Sequence, residues 1–434
     1  MDTSSHLNGD RRVAIVRGLR TPFVKAGTVF SSLTALDLGR MVVQELVQRA
    51  ELDPQQIDQV VFGQVIPNLT ATSIAREVLL AAGLPRNIEA HTVSRACATS
   101  IQALTDAANS ISLGFSEAAI VGGTESMSDV PIFASRPLSL ALAASSRGKD
   151  LGTKLRPFQK LKPRDLLPHP PAIAEYSTGL TMGESAEKMA KENGITREEQ
   201  DQIALRSHQN ASAAWREGKF ADQVMHVLVP PKYEQVVAKD NILRDDSTLE
   251  ALSGLKPVFD RNYGTITAGN SSPLTDGAAA LLVMSAKRAR ELGQEPLGYL
   301  RSFAYAATDP NDQLLQGPAY AAPIALDRAG MRLSDIDLFE MHEAFAAQVA
   351  SNLQAFASPQ FARKMGRSEP LGEVDRSRLN VTGGSIALGH PFGATGARVV
   401  AQALAELKRR GKNTALCTVC AAGGLGAAVV LERV

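Results

Sequence analysis
Ala50-Glu51-Leu52-Asp53-Pro54-Gln55-Gln56-Ile57-Asp58 follows a helical pattern and leads into a short apolar run, residues 59–63. In the second half, Ala329-Gly330-Met331-Arg332-Leu333-Ser334-Asp335-Ile336-Asp337 does the same and leads into Leu338-Phe339-Glu340. A second pair agrees with the first. The turn, apolar strand and glycine pair of residues 114–123 recur over residues 411–424. Two matching pairs in the same order predict an internal duplication of one α/β unit.

Working outward, residues 13–16 read as a strand that runs into Thr21-Pro22. Residues 36–49 have helical spacing, with Leu36, Gly39, Val43, Leu46 and Val47 near one face. Residues 101–111 are again helical, and 118–121 form a buried strand ending at Gly122-Gly123. Strands alternating with helices predict a mostly parallel sheet covered on both faces. Residues 129–267 differ in character. They hold prolines at 131, 137, 157, 163, 168, 170 and 171, and basic residues at Arg147, Lys149, Lys154, Arg156, Lys160, Lys162 and Arg164. Helical patterns over 184–193 and 197–217 mark this stretch as an inserted lobe rather than a linker. Strand alternation resumes at 278–284.

The chain has 434 residues, room for two or three domains and a large core. Its 46 basic and 45 acidic residues give a net charge of +1, which supplies no drive toward nucleic acid. Three cysteines imply no disulfide framework and suit a reducing compartment. Residues 1–10 are polar, without the apolar run of a secretory signal or the Arg-rich character of a transit peptide. There is no apolar run of about 18 residues, the length a membrane-spanning helix needs. The expectation is a soluble cytoplasmic protein.

The chemistry concentrates at three places. Cys97 lies in Ser94-Arg95-Ala96-Cys97-Ala98-Thr99-Ser100, before a helix whose positive end lowers a thiol pKa. His390 lies in Gly389-His390-Pro391-Phe392-Gly393-Ala394-Thr395-Gly396, where glycines let a ligand approach the backbone. Cys420 ends a strand and enters Gly423-Gly424-Leu425-Gly426. Each alone has a bland reading: a buried small hydrophobe, a capping loop histidine, a turn before a last strand. Together they complete one mechanism, an acyl transfer in which one thiolate carries the acyl group, an imidazole activates it and a second thiol moves protons. The duplication would place Cys97 from one half opposite His390 and Cys420 from the other, beyond the carboxyl ends of the strands. His342-Glu343-Ala344-Phe345 follows the strand at 338–341 and lacks the second histidine of a zinc HExxH helix, so no metal is expected there. A polar side chain at that strand end could support an oxyanion. No GxxxxGK[ST] loop occurs, and Gly424-Leu425-Gly426 leaves too little chain for a dinucleotide unit.

At these residues the sequence resembles the thiolase family, over essentially its full length. Co-linear support comes from Arg20-Thr21-Pro22-Phe23, from Gly122-Gly123-Thr124-Glu125-Ser126-Met127 and from Met182-Gly183-Glu184-Ser185-Ala186-Glu187. Further along it comes from Gly269-Asn270-Ser271-Ser272, Asp276-Gly277-Ala278-Ala279-Ala280 and Gly383-Gly384-Ser385-Ile386-Ala387-Leu388-Gly389-His390-Pro391. The resemblance implies an α/β thiolase fold: a duplicated βαβαβαββ core in five layers, α-β-α-β-α, with an inserted loop domain that binds coenzyme A. On this division residues 1–128 with 268–290 form the N-terminal core half, 129–267 the inserted domain and 291–434 the C-terminal half.

Carried over by motif, Cys97 is the acylated nucleophile, His390 its proton acceptor and an oxyanion donor, and Cys420 the acid/base for the acetyl-CoA enolate. The backbone N–H groups of Cys97 and Ala422 form an oxyanion hole, and Met182, Ser272, Ala344 and Phe345 lie near the pantetheine. Many thiolases have Asn-Glu-Ala-Phe and Cys-x-Gly-Gly-Gly where this chain has His342-Glu343-Ala344-Phe345 and Cys420-Ala421-Ala422-Gly423-Gly424. Both variants are similar to the thiolase subunit of the fatty acid oxidation (trifunctional) complex, and the imidazole of His342 then supports the oxyanion by holding the water that the asparagine usually holds. The implied activity is CoA-dependent cleavage of 3-ketoacyl-CoA in β-oxidation, with no permanent cofactor and no metal. The alternative is biosynthetic condensation of two acetyl-CoA. The family also implies a homodimer joined to a hydratase/dehydrogenase subunit. Ketoacyl synthases carry a second histidine or an asparagine where this chain has Cys420, and a non-catalytic acyl-CoA-binding module would not need all three reactive residues. Leu138, Leu140 and Leu142 beside the basic cluster at 149–164 raise a separate expectation of peripheral contact with an anionic membrane.

Overall fold
The computed structural model describes residues 9–169, 171 and 174–433. Most of the polar stretch read at residues 1–10 therefore lies outside the described residues.

The first half builds β1 (Val13–Arg20), β2 (Gln59–Gly63), β3 (Glu89–Val93), β4 (Ala118–Glu125) and β5 (Thr275–Ser285). They hydrogen-bond in the order β1-β5-β4-β2-β3. The second half builds β6 (Gly298–Ala307), β7 (Leu338–Met341), β8 (Thr414–Ala421) and β9 (Leu425–Glu432), in the order β6-β9-β8-β7. A parallel bridge from Phe339 to Leu379 stands beyond β7, where the first half has β3. The two halves thus share one strand order, first-fifth-fourth-second-third, with the third strand of the second half reduced to a bridge. Their first strands meet at Ala14–Tyr299 and Ile15–Gly298, which joins the halves edge to edge.

The duplication extends to single hydrogen bonds. The Asp58 carboxylate accepts the N–H groups of Glu117 (2.6 Å) and Ala118 (3.0 Å), tying the start of β2 to the start of β4. Asp337 accepts those of Asn413 (2.9 Å) and Thr414 (3.1 Å), tying β7 to β8 in the same way. A 3-10 turn precedes each aspartate, Pro54–Gln56 in one half and Leu333–Asp335 in the other. Gly114 and Gly411 close the helices before β4 and β8 in the left-handed conformation, which costs glycine little.

The sheet is mixed, against the expectation of a mostly parallel one. Among these strands of the described residues, parallel pairing joins only β2 with β3 and β4, and β7 with β8. β5 runs antiparallel to both β1 and β4, and β9 to both β6 and β8. The turn between β8 and β9 explains this. Three residues, 422–424, make a hairpin, whereas a parallel return needs a crossover of a dozen or more.

Alternating side chains divide the strands between layers. Val13 and Ile15 of β1 and Val61 of β2 enter a central core. That core also takes Ile101 and Leu104 of α3 (Thr99–Leu113), Val400 and Leu404 of α9 (Thr395–Arg410), and Val419 and Val429 of the second half. Ala14, Val16, Val60 and Phe62 face the other way, against α1 (Ala35–Arg49) and α2 (Ile74–Ala81). The second half is covered on its outer face by α7 (Gly317–Ala329) and α8 (Ala346–Ala357). The result is five layers, α-β-α-β-α, with α3 and α9 back to back in the middle.

The chain between β4 and β5 carries α4 (Arg136–Ser145), α5 (Met182–Glu192) and α6 (Arg197–Arg216). Because β5 lies between β1 and β4, the first half is completed only after this insertion. Met189 and Ile203 bind α5 and α6 into the core that holds Val349 and Leu353 of α8. A buried pair, Arg20 with Asp240 at 2.6 and 2.8 Å, fastens the insertion to β1. No helix among the described residues is long and apolar enough to cross a membrane.

Candidate active site
Cys97 stands on a tight elbow between β3 and α3. Ala96 has φ +43°, a left-handed value for a residue with a Cβ. Such a residue persists only where its surroundings over-determine it. Here the Ala96 carbonyl accepts from Thr99 Oγ1 (2.7 Å), and Thr99 Oγ1 accepts from the Arg95 N–H (2.8 Å). The elbow sets Cys97 immediately before the N-terminal cap of α3.

His390 reaches the same point from the loop before α9. Its Nε2 lies 3.1 Å from Cys97 Sγ. Its Nδ1 lies 2.7 Å from Thr395 Oγ1, and the Thr395 hydroxyl donates to the Pro391 carbonyl at 3.2 Å. A hydroxyl whose proton is so used must accept from Nδ1–H. That leaves the Nε2 lone pair facing the thiol, the tautomer a general base requires. Cys420, at the end of β8, is buried beside Cys97. The sequence-expected set Cys97, His390 and Cys420 is therefore brought together from both halves.

Burial keeps the set neutral at rest. It pushes the Cys97 thiol up to about 12, against the opposing pull of N–H groups from Ala422 and Cys97 itself, with Glu125 and Glu175 adding to the rise. It pushes His390 down to about 3, helped by the Arg398 cation. The Cys420 thiol is raised well above its ordinary value, again by burial first and by Cys97 second. Neutral thiol beside neutral imidazole means that the proton moves only when an electrophile arrives. The two N–H groups that converge on Cys97 are those expected for an oxyanion hole. Ala422 is not among the residues with positive φ, so the alanine sits there without strain.

His342 is fully buried, its ring centroid 4.1 Å from that of His390. Ring nitrogens of both, with Cys97 Sγ, lie within 4.8 Å of one another. Of Met182, Ser272, Ala344 and Phe345, the structure links Ser272 to Ala344 and sets Phe345 against Phe259. The Ser272 N–H donates to the Ala344 carbonyl at 2.9 Å, and Phe345 meets Phe259 edge-on with centroids 6.3 Å apart. Phe259 also covers Gly183, next to Met182, so closely that any Cβ there would strike its ring.

Several residues around the site, some of them inside the quoted segments, had no role assigned from the sequence. Thr395 fixes the His390 tautomer. The Glu125 carboxylate accepts the N–H groups of Val65 (3.0 Å), Ile66 (3.0 Å) and Gly393 (3.1 Å), which clamps the His390 loop to the loop after β2. Glu343 accepts from Ser207 (2.7 Å), Asn380 (2.6 Å) and the Ile386 N–H (3.2 Å). Ser385, Arg398 and Glu175 complete the surroundings. Ser, Thr and Glu are common side chains, and only three-dimensional neighbourhood separates these from the rest.

The fold and this cysteine–histidine–cysteine centre define a class. The thiolase N-terminal domain family matches residues 13–287 and the thiolase C-terminal domain family residues 294–433, and the chain belongs to the thiolase family. Among its relatives is the 3-ketoacyl-CoA thiolase of Erwinia tasmaniensis, 55% identical over 97% of this chain and 96% of the relative. That of Serratia proteamaculans is 54% identical over 98% and 97%. Among solved structures, the Bacillus anthracis acetyl-CoA acetyltransferase superposes with a TM-score of 0.82 at 33% identity, covering 98% of this chain and 99% of that one. Human mitochondrial 3-ketoacyl-CoA thiolase in complex with CoA gives 0.80 at 31% identity, over 98% and 99%.

Proposed function
We infer that this thiolase is an acyltransferase that cleaves 3-ketoacyl-CoA with coenzyme A, releasing acetyl-CoA and an acyl-CoA shortened by two carbons. The observation that carries the reading is the 3.1 Å contact between His390 Nε2 and Cys97 Sγ, with the Thr395 hydroxyl on the other ring nitrogen. The relatives named as 3-ketoacyl-CoA thiolases match over nearly the whole chain and support it. His390 takes the Cys97 proton as sulfur attacks the 3-keto carbon. The C2–C3 bond breaks, and the acetyl-CoA enolate leaves with a proton from the Cys420 thiol. The CoA thiol then gives its proton to the Cys420 thiolate and attacks the acyl-enzyme. The Cys97–acyl bond breaks, and His390 returns the proton to Cys97. The Cys97 and Ala422 N–H groups hold one developing oxyanion, and His390 with His342 the other. Losing one such donor costs about 3 kcal/mol, roughly a hundredfold in rate.

CoA and acyl-CoA enter as substrates past Met182, Ser272, Ala344 and Phe345. The division at residues 1–128 with 268–290, 129–267 and 291–434 is supported by the place of β5 inside the first sheet. Thiolysis of 3-ketohexadecanoyl-CoA beside acetoacetyl-CoA, followed by loss of enolate absorbance, tests the reading. Faster long-chain cleavage supports it, and a strong preference for acetoacetyl-CoA moves the chain to biosynthetic acetyl-CoA acetyltransferase chemistry.

We further propose a cytoplasmic homodimer that joins a hydratase/dehydrogenase subunit, to be tested by co-purification. The insertion also exposes Leu140, Leu142, Leu151 and Leu155 among Lys149, Lys154, Arg156, Lys160, Lys162 and Arg164. Exposed leucines among cations suit the surface of an anionic membrane. Flotation with anionic liposomes that showed no salt-sensitive binding would remove this contact.

A further inference from the structure
The polar partners of His342 lead away from the substrate. His342 Nδ1 lies 2.7 Å from Ser385 Oγ. The same oxygen accepts from Arg398 Nη2 at 2.6 Å. Arg398 is itself buried, with its Nη1 facing both Gln402 at 3.4 Å and Glu340 at 4.0 Å. Arg398 has only donors, so the Ser385 oxygen serves it as acceptor. The serine proton is then free for His342 Nδ1, 2.7 Å away. Imidazole that accepts at Nδ1 carries its proton at Nε2. His342 Nε2 is buried and has no hydrogen-bond partner among the described residues. A buried donor without a partner costs about 1–3 kcal/mol. It is the ring nitrogen left over by Ser385, in a ring of which one nitrogen lies within 4.8 Å of Cys97 Sγ and of a His390 nitrogen.

We propose that Ser385, held by Arg398, is a positioning residue that fixes His342 as the Nε2–H tautomer and aims that N–H at the substrate oxyanion. The chain Arg398–Ser385–His342 then gives a direct N–H donor where an asparagine would hold a water. Arg398 has a second effect. Its cation sits behind the ring and, after burial and His390, holds the His342 pKa well below the ordinary imidazole value. The ring therefore stays a neutral donor. Two histidines 4.1 Å apart take opposite tautomers, one a base through Nε2 and one a donor through Nε2, because Thr395 accepts from the first and Ser385 donates to the second. The role at the oxyanion rests on the thiolysis reading above; the tautomer does not.

The test uses the full chain labelled with 15N-histidine, with the His342 signals assigned by their loss in His342→Asn. The expected native spectrum has His342 protonated at Nε2, and Ser385→Ala gives a mixture of tautomers. Steady-state thiolysis by Ser385→Ala should lose roughly tenfold in kcat with little change in KM, since the donor is misaimed rather than removed. Ser385→Thr, which keeps the hydroxyl, should recover much of the loss. In a His342→Asn background Ser385→Ala should add nothing. His342 protonated at Nδ1 in the native protein would overturn the proposal whatever the activity, and whether or not Ser385→Ala folds. An equal loss from Ser385→Ala in both backgrounds would overturn it as well. A native protein without thiolysis but with the Nε2–H tautomer would refute the thiolysis reading and leave the positioning intact.

Discussion

Glu175, in the insertion, accepts a hydrogen bond from the Gly423 N–H at 2.7 Å. Gly423 follows Ala422, whose own N–H points at Cys97, so a carboxylate from the inserted lobe braces the loop that carries an oxyanion donor. It also places a negative charge near the nucleophile and contributes to the raised Cys97 pKa. Glu175→Gln keeps an acceptor for Gly423 and removes the charge. Alkylation of Cys97 by iodoacetamide at fixed pH, followed by mass spectrometry, should then speed up roughly threefold. A slower or unchanged rate would show that this charge does not reach the thiol.

The neutral resting pair sets the pH dependence of acylation. His390 acts while unprotonated, so activity is present above its folded pKa and lost as pH falls through it. That pKa is lowered from 6.5 to about 3, so no acid limb should fall near 6.5. The Cys97 thiol, raised from 9.0 to about 12, gives no limb near 9 from spontaneous thiolate. The acylation half-reaction, quenched and read by intact mass, should stay flat from about pH 5 to 8. A fall on acidification centred near the ordinary imidazole value would contradict the assignment of His390 as a buried base.

Gly123, on β4, packs directly beneath the His390 loop. A Cβ at this position would strike the carbonyl of Gly393 and come close to that of Gly63, both backbone groups with little room to move. Glu125, two residues on, holds the same Gly393 by its N–H. Gly123→Ala should therefore cost about 2 kcal/mol of stability through overpacking. It should also lower kcat, because Gly393 can yield only by moving the loop that sets the 3.1 Å contact between His390 and Cys97. A melting temperature and kcat both equal to the native values would show that this loop repacks freely.

The duplication was legible because it is written in turns, and turns have strong local chemistry. Asp53-Pro54 and Arg332-Leu333 open matched 3-10 turns, and Gly114 and Gly411 end matched helices, all within a few residues of chain. Strand direction was not, because β5 is separated from β4 by the whole insertion and the pairing that makes the sheet mixed is set at long range. The third strand of the second half shrinks to the Phe339–Leu379 bridge, which no local pattern marks. The site divides in the same way. Cys97, His390 and Cys420 are rare side chains at glycine-rich or tight turns. Ser385 and Arg398 lie 43 and 56 residues after His342, and their role appears only when α9 is folded against the central core. Thr395 is five residues from His390 and still carries no mark, since a threonine opening a helix is ordinarily a cap.

On the proposed mechanism, Cys420 separates proton transfer from acyl transfer. It is buried, and its thiol is held well above the ordinary pKa, so at neutral pH it carries the proton that the acetyl-CoA enolate needs. The same proton must leave and return at C2 of acetyl-CoA in the reverse direction. In D2O the native enzyme should therefore exchange the methyl protons of acetyl-CoA, read by proton NMR. Cys420→Ala should lose this exchange and about a thousandfold in thiolysis, within the usual range for a general acid–base group. It should nevertheless still become acylated at Cys97 by acetyl-CoA, because the thiol, His390 and the Cys97 and Ala422 N–H groups remain. Cys97→Ala should lose both. Native-rate exchange in Cys420→Ala would assign the enolate proton to another group, and His390 is the base then left beside the carbon.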